Sequence, residues 1–482
     1  MRRVFAKLAL RFSCLLLVCS ALPGNIPAQP AQSDSAAPAQ ILQQSDQTAV
    51  PSPADSDSDS LTLFPHSESS RYWISGQANI ILQWHPSFPA QYSGKNSLHS
   101  GAENATSRLF TLYLGYQLTG TTEVFLDAES AGGRGISKAL GLAGFTNLDV
   151  VRNPTLGATP YLARAMIRQI IPLGDDRVEE ERGPFALATS VPARRIEIRA
   201  GKFSVADFFD QNAWGSDSHF QFLNWTLDNN GAYDYAANTR GYTDGVIIEY
   251  DDRWFTARFA ETLMPKVANG LNLDADVARA RAENLEFDFS GNCVAHRAGV
   301  LRLLTYLNHA DMGNYRQAIE EYLDGHTSTP DIIATRRRRH KYGFGLNFEQ
   351  EITPEIGLFG RLGWSDGRNE SFAYTEVDRT VELGAFSKGT AWHRRNDRAG
   401  VAFVANGIVA AHQQYLALGG LGFLLGDGSL TYGPEKIFEG FYTAHLWRGF
   451  FASFDLQHIN NPGYNMARGP VTVPSLRLHV DF

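Results

Sequence analysis

The chain has 482 residues, with 43 Lys and Arg against 51 Asp and Glu and a formal net charge of −8. The mildly acidic balance excludes a general nucleic-acid binder, and beyond residue 28 no apolar run reaches the roughly 18 residues of a spanning helix. With 44 Gly, 30 Phe and 18 Tyr against 5 Met and 3 Cys, the composition favours strands and turns over helix bundles.

Residues 1–28 read as a Sec-type signal. Arg2, Arg3 and Lys7 form a basic start, Phe12 to Leu22 an apolar stretch, and Ile26-Pro-Ala28 a cleavage site. Arg11 and the short run argue against an anchor, and Val18 before Cys19 argues against a lipoprotein. Cleavage removes four basic residues and no acid, together with Cys14 and Cys19. Cys293 then remains alone, so no intramolecular disulfide can form. Residues 29–70 are rich in Ala, Gln, Ser, Pro and Asp and include Asp55-Ser-Asp-Ser-Asp-Ser60. They read as a disordered exported linker, leaving 71–482 as one folded domain.

From there the apolar pattern has period two. Sixteen segments carry it: 72–84, 108–118, 122–130, 160–171, 195–203, 242–250, 254–263, 284–290, 296–307, 341–351, 356–365, 399–406, 413–424, 437–446, 450–459 and 473–482. The last is the cleanest. Leu476, Leu478, Val480 and Phe482 share one face, and Ser475, Arg477, His479 and Asp481 the other. Short connections alternate with long ones, among them 204–241, 308–340 and 366–398. Only 172–194 breaks the alternation, being long where a short turn is due. Such a chain predicts an all-β fold: a single 16-stranded antiparallel transmembrane β-barrel, apolar to lipid and polar inside, with short periplasmic turns and long external loops. In lipid only closure satisfies strand backbones, and sixteen strands leave an aqueous channel.

Parity then places side chains. The expected lumen charges are Glu123, Asp127, Glu129, Arg164, Arg168, Arg195, Glu197, Arg199, Glu249, Arg258, Arg302, Arg361, Arg477 and Asp481. The many arginines suggest a basic wall faced by acids, with a transverse field across a constriction. The long connection 204–241 holds Phe208, Phe209, Trp214, Phe220, Phe222, Trp225, Tyr233 and Tyr235. These rings are expected to pack the loop against the inner wall, with Trp214 or Trp225 free to stack on a solute beside Asp207, Asp210 and Arg240. Residues 312–323 have helical spacing and predict a short helix over the mouth. The run Arg336-Arg-Arg-Arg-His-Lys341 falls at the outer rim, as a solvated charge run or a contact for lipopolysaccharide phosphates. No His-Glu-x-x-His, no P-loop and no Gly-x-Ser-x-Gly elbow is read, so no enzyme, metal site or cofactor is expected.

A series of short motifs, in order, resembles the carbohydrate-selective porins of the OprB type. It begins at Ile74-Ser-Gly-Gln-Ala-Asn79 and Gln83-Trp-His-Pro-Ser-Phe88, and continues through Gly132-Gly-Arg-Gly-Ile-Ser137, Gly201-Lys-Phe-Ser-Val-Ala-Asp-Phe-Phe-Asp210, Gln221-Phe-Leu-Asn-Trp225 and Gly231-Ala-Tyr-Asp-Tyr235. It ends at Asp455-Leu-Gln-His-Ile459 and Leu476-Arg-Leu-His-Val-Asp-Phe482. The resemblance implies a Gram-negative outer-membrane porin passing sugars, as monomer or homotrimer. It would be embedded in outer-membrane lipid and lipopolysaccharide, and inserted by the barrel-assembly machinery through its C-terminal strand. The runner-up expectations are a general or non-sugar diffusion porin and a barrel enzyme.

Overall fold

A computed structural model describes residues 60–482 apart from 154, 155 and 295. The predicted signal and most of the predicted linker lie outside the described residues.

Sixteen antiparallel strands close into one barrel. They are β1 (Tyr72–His85), β2 (Glu103–Gln117), β3 (Thr122–Gly133), β4 (Tyr161–Pro172), β7 (Arg195–Phe203), β8 (Thr243–Asp252), β9 (Phe255–Leu263), β10 (Arg281–Val294), β11 (Arg297–Met312), β12 (Arg337–Glu351), β13 (Ile356–Ser365), β14 (Arg379–Lys388), β15 (Arg398–Gly407), β16 (Glu435–Trp447), β17 (Phe450–Asn460) and β18 (Val471–Asp481). Two further short strands, β5 (Arg177–Glu179) and β6 (Ser190–Pro192), pair only with each other. The seam joins β1 to β18, from Gln77 opposite Asp481 to Gln83 opposite Ser475. Phe482 extends it: its N–H donates to the Gly76 carbonyl at 2.9 Å, and its carbonyl accepts from the Gly76 N–H at 2.7 Å.

The alternation decides which side each residue takes. Leu476 and Leu478 on β18, Phe454 and Leu456 on β17, and Val381 and Leu383 on β14 are exposed on the outer face. Ser475, Arg477, His479, Ser453, Asp455 and Glu382 are buried inside. An apolar exterior over a polar interior suits a lipid solvent outside and a wet lumen within. Among the described residues no helix is long and apolar enough to cross a membrane; the crossing is made by strands.

Two expectations are corrected. Residues 413–424 are not a strand. They begin in helix α3 (Ala410–Ala417) and continue as loop, because Tyr415, Leu416 and Leu424 are buried among the long connections instead of facing lipid. The missing strand is β14, which lies inside the expected loop 366–398. The loop expected at 308–340 is shorter too, since β11 and β12 run into it.

The long connections fold inward. Helix α1 (Trp225–Asp228) lies within connection 204–242, and α2 (Tyr315–Leu323), capped by the Asn314 side chain accepting from Gln317 N–H at 3.1 Å, packs on α3. Tyr315 stacks on His412 with ring centroids 4.1 Å apart. Connection 204–242 packs into the lumen against the wall, which makes room with glycines. A Cβ on Gly357 would lie 2.3 Å from the Trp214 ring, and one on Gly363 2.1 Å from the Asn230 side chain.

Candidate functional site in the pore

The inward-folded connections leave two cavities within the barrel. The larger, about 440 Å³, lies toward the long-loop rim, and Glu129, Tyr161, Arg164, Trp225, Arg240 and Tyr242 are among its lining residues. The smaller, about 340 Å³, lies toward the short-turn rim, and Arg195, Arg199, Arg258, Asp288, Arg302 and Glu349 are among its own. Asp207 and Gln211 line both, which places them at the neck between.

The neck is a charged pair set among rings. Arg164 of β4 donates from Nε and Nη2 to the two Asp207 oxygens, both at 2.7 Å, and lies 3.4 Å from Asp127. Asp207 is oriented by a single helical turn at 205–207, where it accepts the Ser204 N–H at 3.2 Å. The Arg164 guanidinium sits 4.7 Å over Phe185 and 5.2 Å over Tyr242. Above it, Tyr242 and Tyr161 both donate to Glu129, and Arg240 lies 3.7 Å over Tyr161. Trp225 lies flat against Tyr374, their centroids 5.5 Å apart at 7°.

The lower chamber is a lattice of ion pairs. Arg199 meets Glu197 and Glu249. Arg258 meets Glu249, Glu286 at 2.8 Å and Asp288 at 3.6 Å. Arg302 meets Asp288 at 3.9 Å and Glu349 at 3.1 Å. Each arginine stands between two or more acids, which outnumber the arginines here, so this part of the wall is alternating charge and not the expected basic face. Glu197, Glu249 and Asp251 approach as a metal site would. Their oxygens already receive Arg168, Arg195, Arg199 and Arg258, so the group does not suit a cation.

Several predicted site residues lie behind the surface of the pore. Arg168 is sealed among Glu123, Glu180 and Glu197 at 3.1, 2.6 and 2.7 Å. Arg361 is sealed under connection 204–242, 3.1 Å from Asp210 and 3.0 Å from Glu382, and donates to the Leu227 and Asp228 carbonyls. Trp214 packs on Phe386 at 5.1 Å. Asp127, Arg168, Glu197, Asp210, Trp214 and Arg361 are therefore corrected from pore-lining to buried supports of the wall and the loop. The physical reason is the folded-in loop, which covers inward faces that parity alone leaves wet. Burial pushes the Asp228 carboxyl of α1 well above its ordinary range, with Arg361 opposing.

The basic run is also divided. Arg336 pairs with Glu370 at 2.7 Å, Arg339 donates to the carbonyls of Met312 and Thr335, and Lys341 is buried beside Ser371 and Asp234. Only Arg337, Arg338 and His340 are exposed. A further correction concerns Gly363-Trp-Ser-Asp-Gly367, which does have Gly-x-Ser-x-Gly spacing. It runs off the end of β13 into a loop, with Ser365 buried and donating to Asp378 at 3.3 Å, and is no strand-to-helix elbow. Pore residues that sequence reasoning missed include Tyr113, Tyr161, Gln211, Tyr242, Tyr374 and Phe185. Strand parity could have found Tyr113 and Tyr161; Phe185 and Tyr374 stand in segments with no period.

A closed sixteen-stranded barrel, apolar outside and lined by charge and rings around a narrowed lumen, defines an outer-membrane channel of the porin class. Residues 96–482 match the family model described as carbohydrate-selective porin, OprB family, and the chain belongs to that family. The high-pH structure of OprB from Pseudomonas putida is similar at 15% identity and a TM-score of 0.65, covering 85% of this chain and 94% of that one. The outer-membrane channel DcaP of Acinetobacter baumannii aligns at 9% identity and TM-score 0.44, over 85% and 97%. OccK2 (OpdF) of Pseudomonas aeruginosa aligns at 10% and 0.42, over 85% and 97%. No curated protein matches the sequence. Family and fold together put the barrel in a Gram-negative outer membrane, where short turns face the periplasm and long loops the exterior.

Proposed function

We propose that this porin passes small neutral carbohydrates into the periplasm by passive diffusion. The observation that carries the reading is the neck. A hydrogen-bonding pair, Arg164 and Asp207, stands directly beside the apolar faces of Phe185 and Tyr242. A sugar has the same two characters, hydroxyls at its edge and C–H groups on its faces. Planar guanidinium donors suit the first and aromatic faces suit the second.

In this reading the segment 1–28 is cleaved after export and 29–70 is the periplasmic linker. Leu476, Leu478, Val480 and Phe482 are the end read by the assembly machinery. Lipid and lipopolysaccharide surround the barrel, through Arg337, Arg338 and His340 at the outer rim, and the oligomer is a monomer or homotrimer. No catalytic step is involved. Planar-bilayer recording is the test: stepwise conductance is expected, reduced by added mono- or oligosaccharides and not by amino acids at equal concentration. Arg164→Ala is expected to weaken that block. Channels indifferent to sugars would make this a general diffusion porin, and no conductance at all would end the reading.

A further inference from the structure

Segment 173–194 is the longest of the periplasmic connections among the described residues. It is a hairpin. Its base is the β5–β6 ladder, Arg177 opposite Pro192 to Glu179 opposite Ser190. The pairing continues through Glu180 N–H to the Thr189 carbonyl at 3.0 Å, and closes at Gly183 and Ala186. Pro184 and Phe185 form the tip. Proline at the first corner of such a turn pre-sets its backbone.

The hairpin points into the barrel. Its base lines the periplasmic chamber through Val178 and Val191, while Phe185 at the tip lines the external one. The tip therefore reaches past the neck from below. There the Phe185 ring meets Tyr113 of β2 edge-on at 6.3 Å, Phe208 at 6.4 Å and the Arg164 guanidinium at 4.7 Å. Phe208 and Asp207 arrive at the same place from the external side, on connection 204–242.

The hairpin is also fastened there. The Glu123 carboxylate of β3 accepts the N–H groups of Leu187 and Ala188 at 3.2 and 2.7 Å. Glu180 takes two bonds from buried Arg168, at 2.6 and 3.0 Å. Leu187 is buried against Gly115, where an added Cβ would lie 3.2 Å from its side chain. Arg182 donates to the Leu187 carbonyl at 2.7 Å and to the Tyr72 carbonyl at 2.9 Å, and its guanidinium lies over Trp73. A connection meant only to join two strands needs two to five residues. This one spends a buried arginine and two buried carboxylates on placing a phenylalanine in a wet lumen, where an apolar ring is otherwise a liability.

We propose that 173–194 is a second constriction element, entering from the periplasmic side, and that Phe185 is a specificity-determining residue that sets the size limit of the neck and supplies one apolar face to the solute. The inference rests on the porin reading, though not on the solute being a sugar. The test is single-channel conductance and the cut-off for a graded series of polyethylene glycols, on the purified full chain with Phe185→Ala and Phe185→Trp. Phe185→Ala is expected to raise conductance and admit larger polymers, and Phe185→Trp to lower both. Heat-modifiable migration on gels reports that each variant is folded, and Phe185→Leu serves if the alanine variant is not. Equal conductance and cut-off in the folded variants would overturn the proposal. Sugar block is read on the same channels: its absence in wild type counts against the sugar reading alone, and its weakening in Phe185→Ala supports the contact.

Discussion

Arg361 is fully buried, with Asp210 on one side and Glu382 on the other. Sequence parity made it a pore residue; its surroundings make it a clamp. It joins β13 and β14 to connection 204–242 by donating to two carbonyls of that connection as well. Removing one member of a buried ion group strands the others, at about 3–5 kcal/mol. Arg361→Met leaves two facing carboxylates with no cation between them, so a loss of that size is expected. It would show as a lower midpoint of heat-modifiable unfolding, with noisier single-channel traces as the connection loosens. Arg302 makes a useful contrast, because it lines the chamber and has water to replace a lost partner.

At the scale of elements, the exchange of β14 for 413–424 can be tested directly. Leu383 faces lipid on β14, and Gln414 is exposed on α3 in an external connection. An arginine on the lipid face costs about 2–4 kcal/mol at mid-membrane, whereas an exposed helix position tolerates one within about 0.5 kcal/mol. Leu383→Arg is expected to reduce the folded, inserted fraction strongly and Gln414→Arg hardly at all, measured by refolding into vesicles. Strands were legible where lipid and lumen impose opposite chemistries on alternate residues; β14 keeps that rule with Val381 and Leu383 outside and Thr380 and Glu382 inside, and departs from it in its second half. There the rule is broken from inside, since Phe386 faces inward to pack on Trp214 and Gly384 faces inward to clear Phe359. The run 413–424 imitated a strand because a buried loop core is as apolar as a lipid face. The pore was legible only in part. Which charges line the barrel followed from parity; which of them the solute can reach depends on two inward-folded connections that have no period to read.

On the scale of the whole molecule the seam matters most. Phe482 adds two backbone hydrogen bonds to it, and its ring lies where a Cβ on Gly76 would come within 2.6 Å. Deleting Phe482 is expected to lower the yield of inserted, heat-modifiable barrel, and normal yield would remove the terminal residue from any role in closure. The seam also has a consequence in time. The sheet is a ring with one joint, and the joint pairs the first barrel strand with the last. Until the final residues have crossed the inner membrane, both partners are bare edges with unmade hydrogen bonds, each a template for pairing with another chain. The non-local contact that removes this hazard is the slowest kind to form. A shortened chain is therefore a chain with two sticky ends and no lumen, so a nonsense mutation late in the gene would yield aggregate in the periplasm, with no leaky, half-working pore.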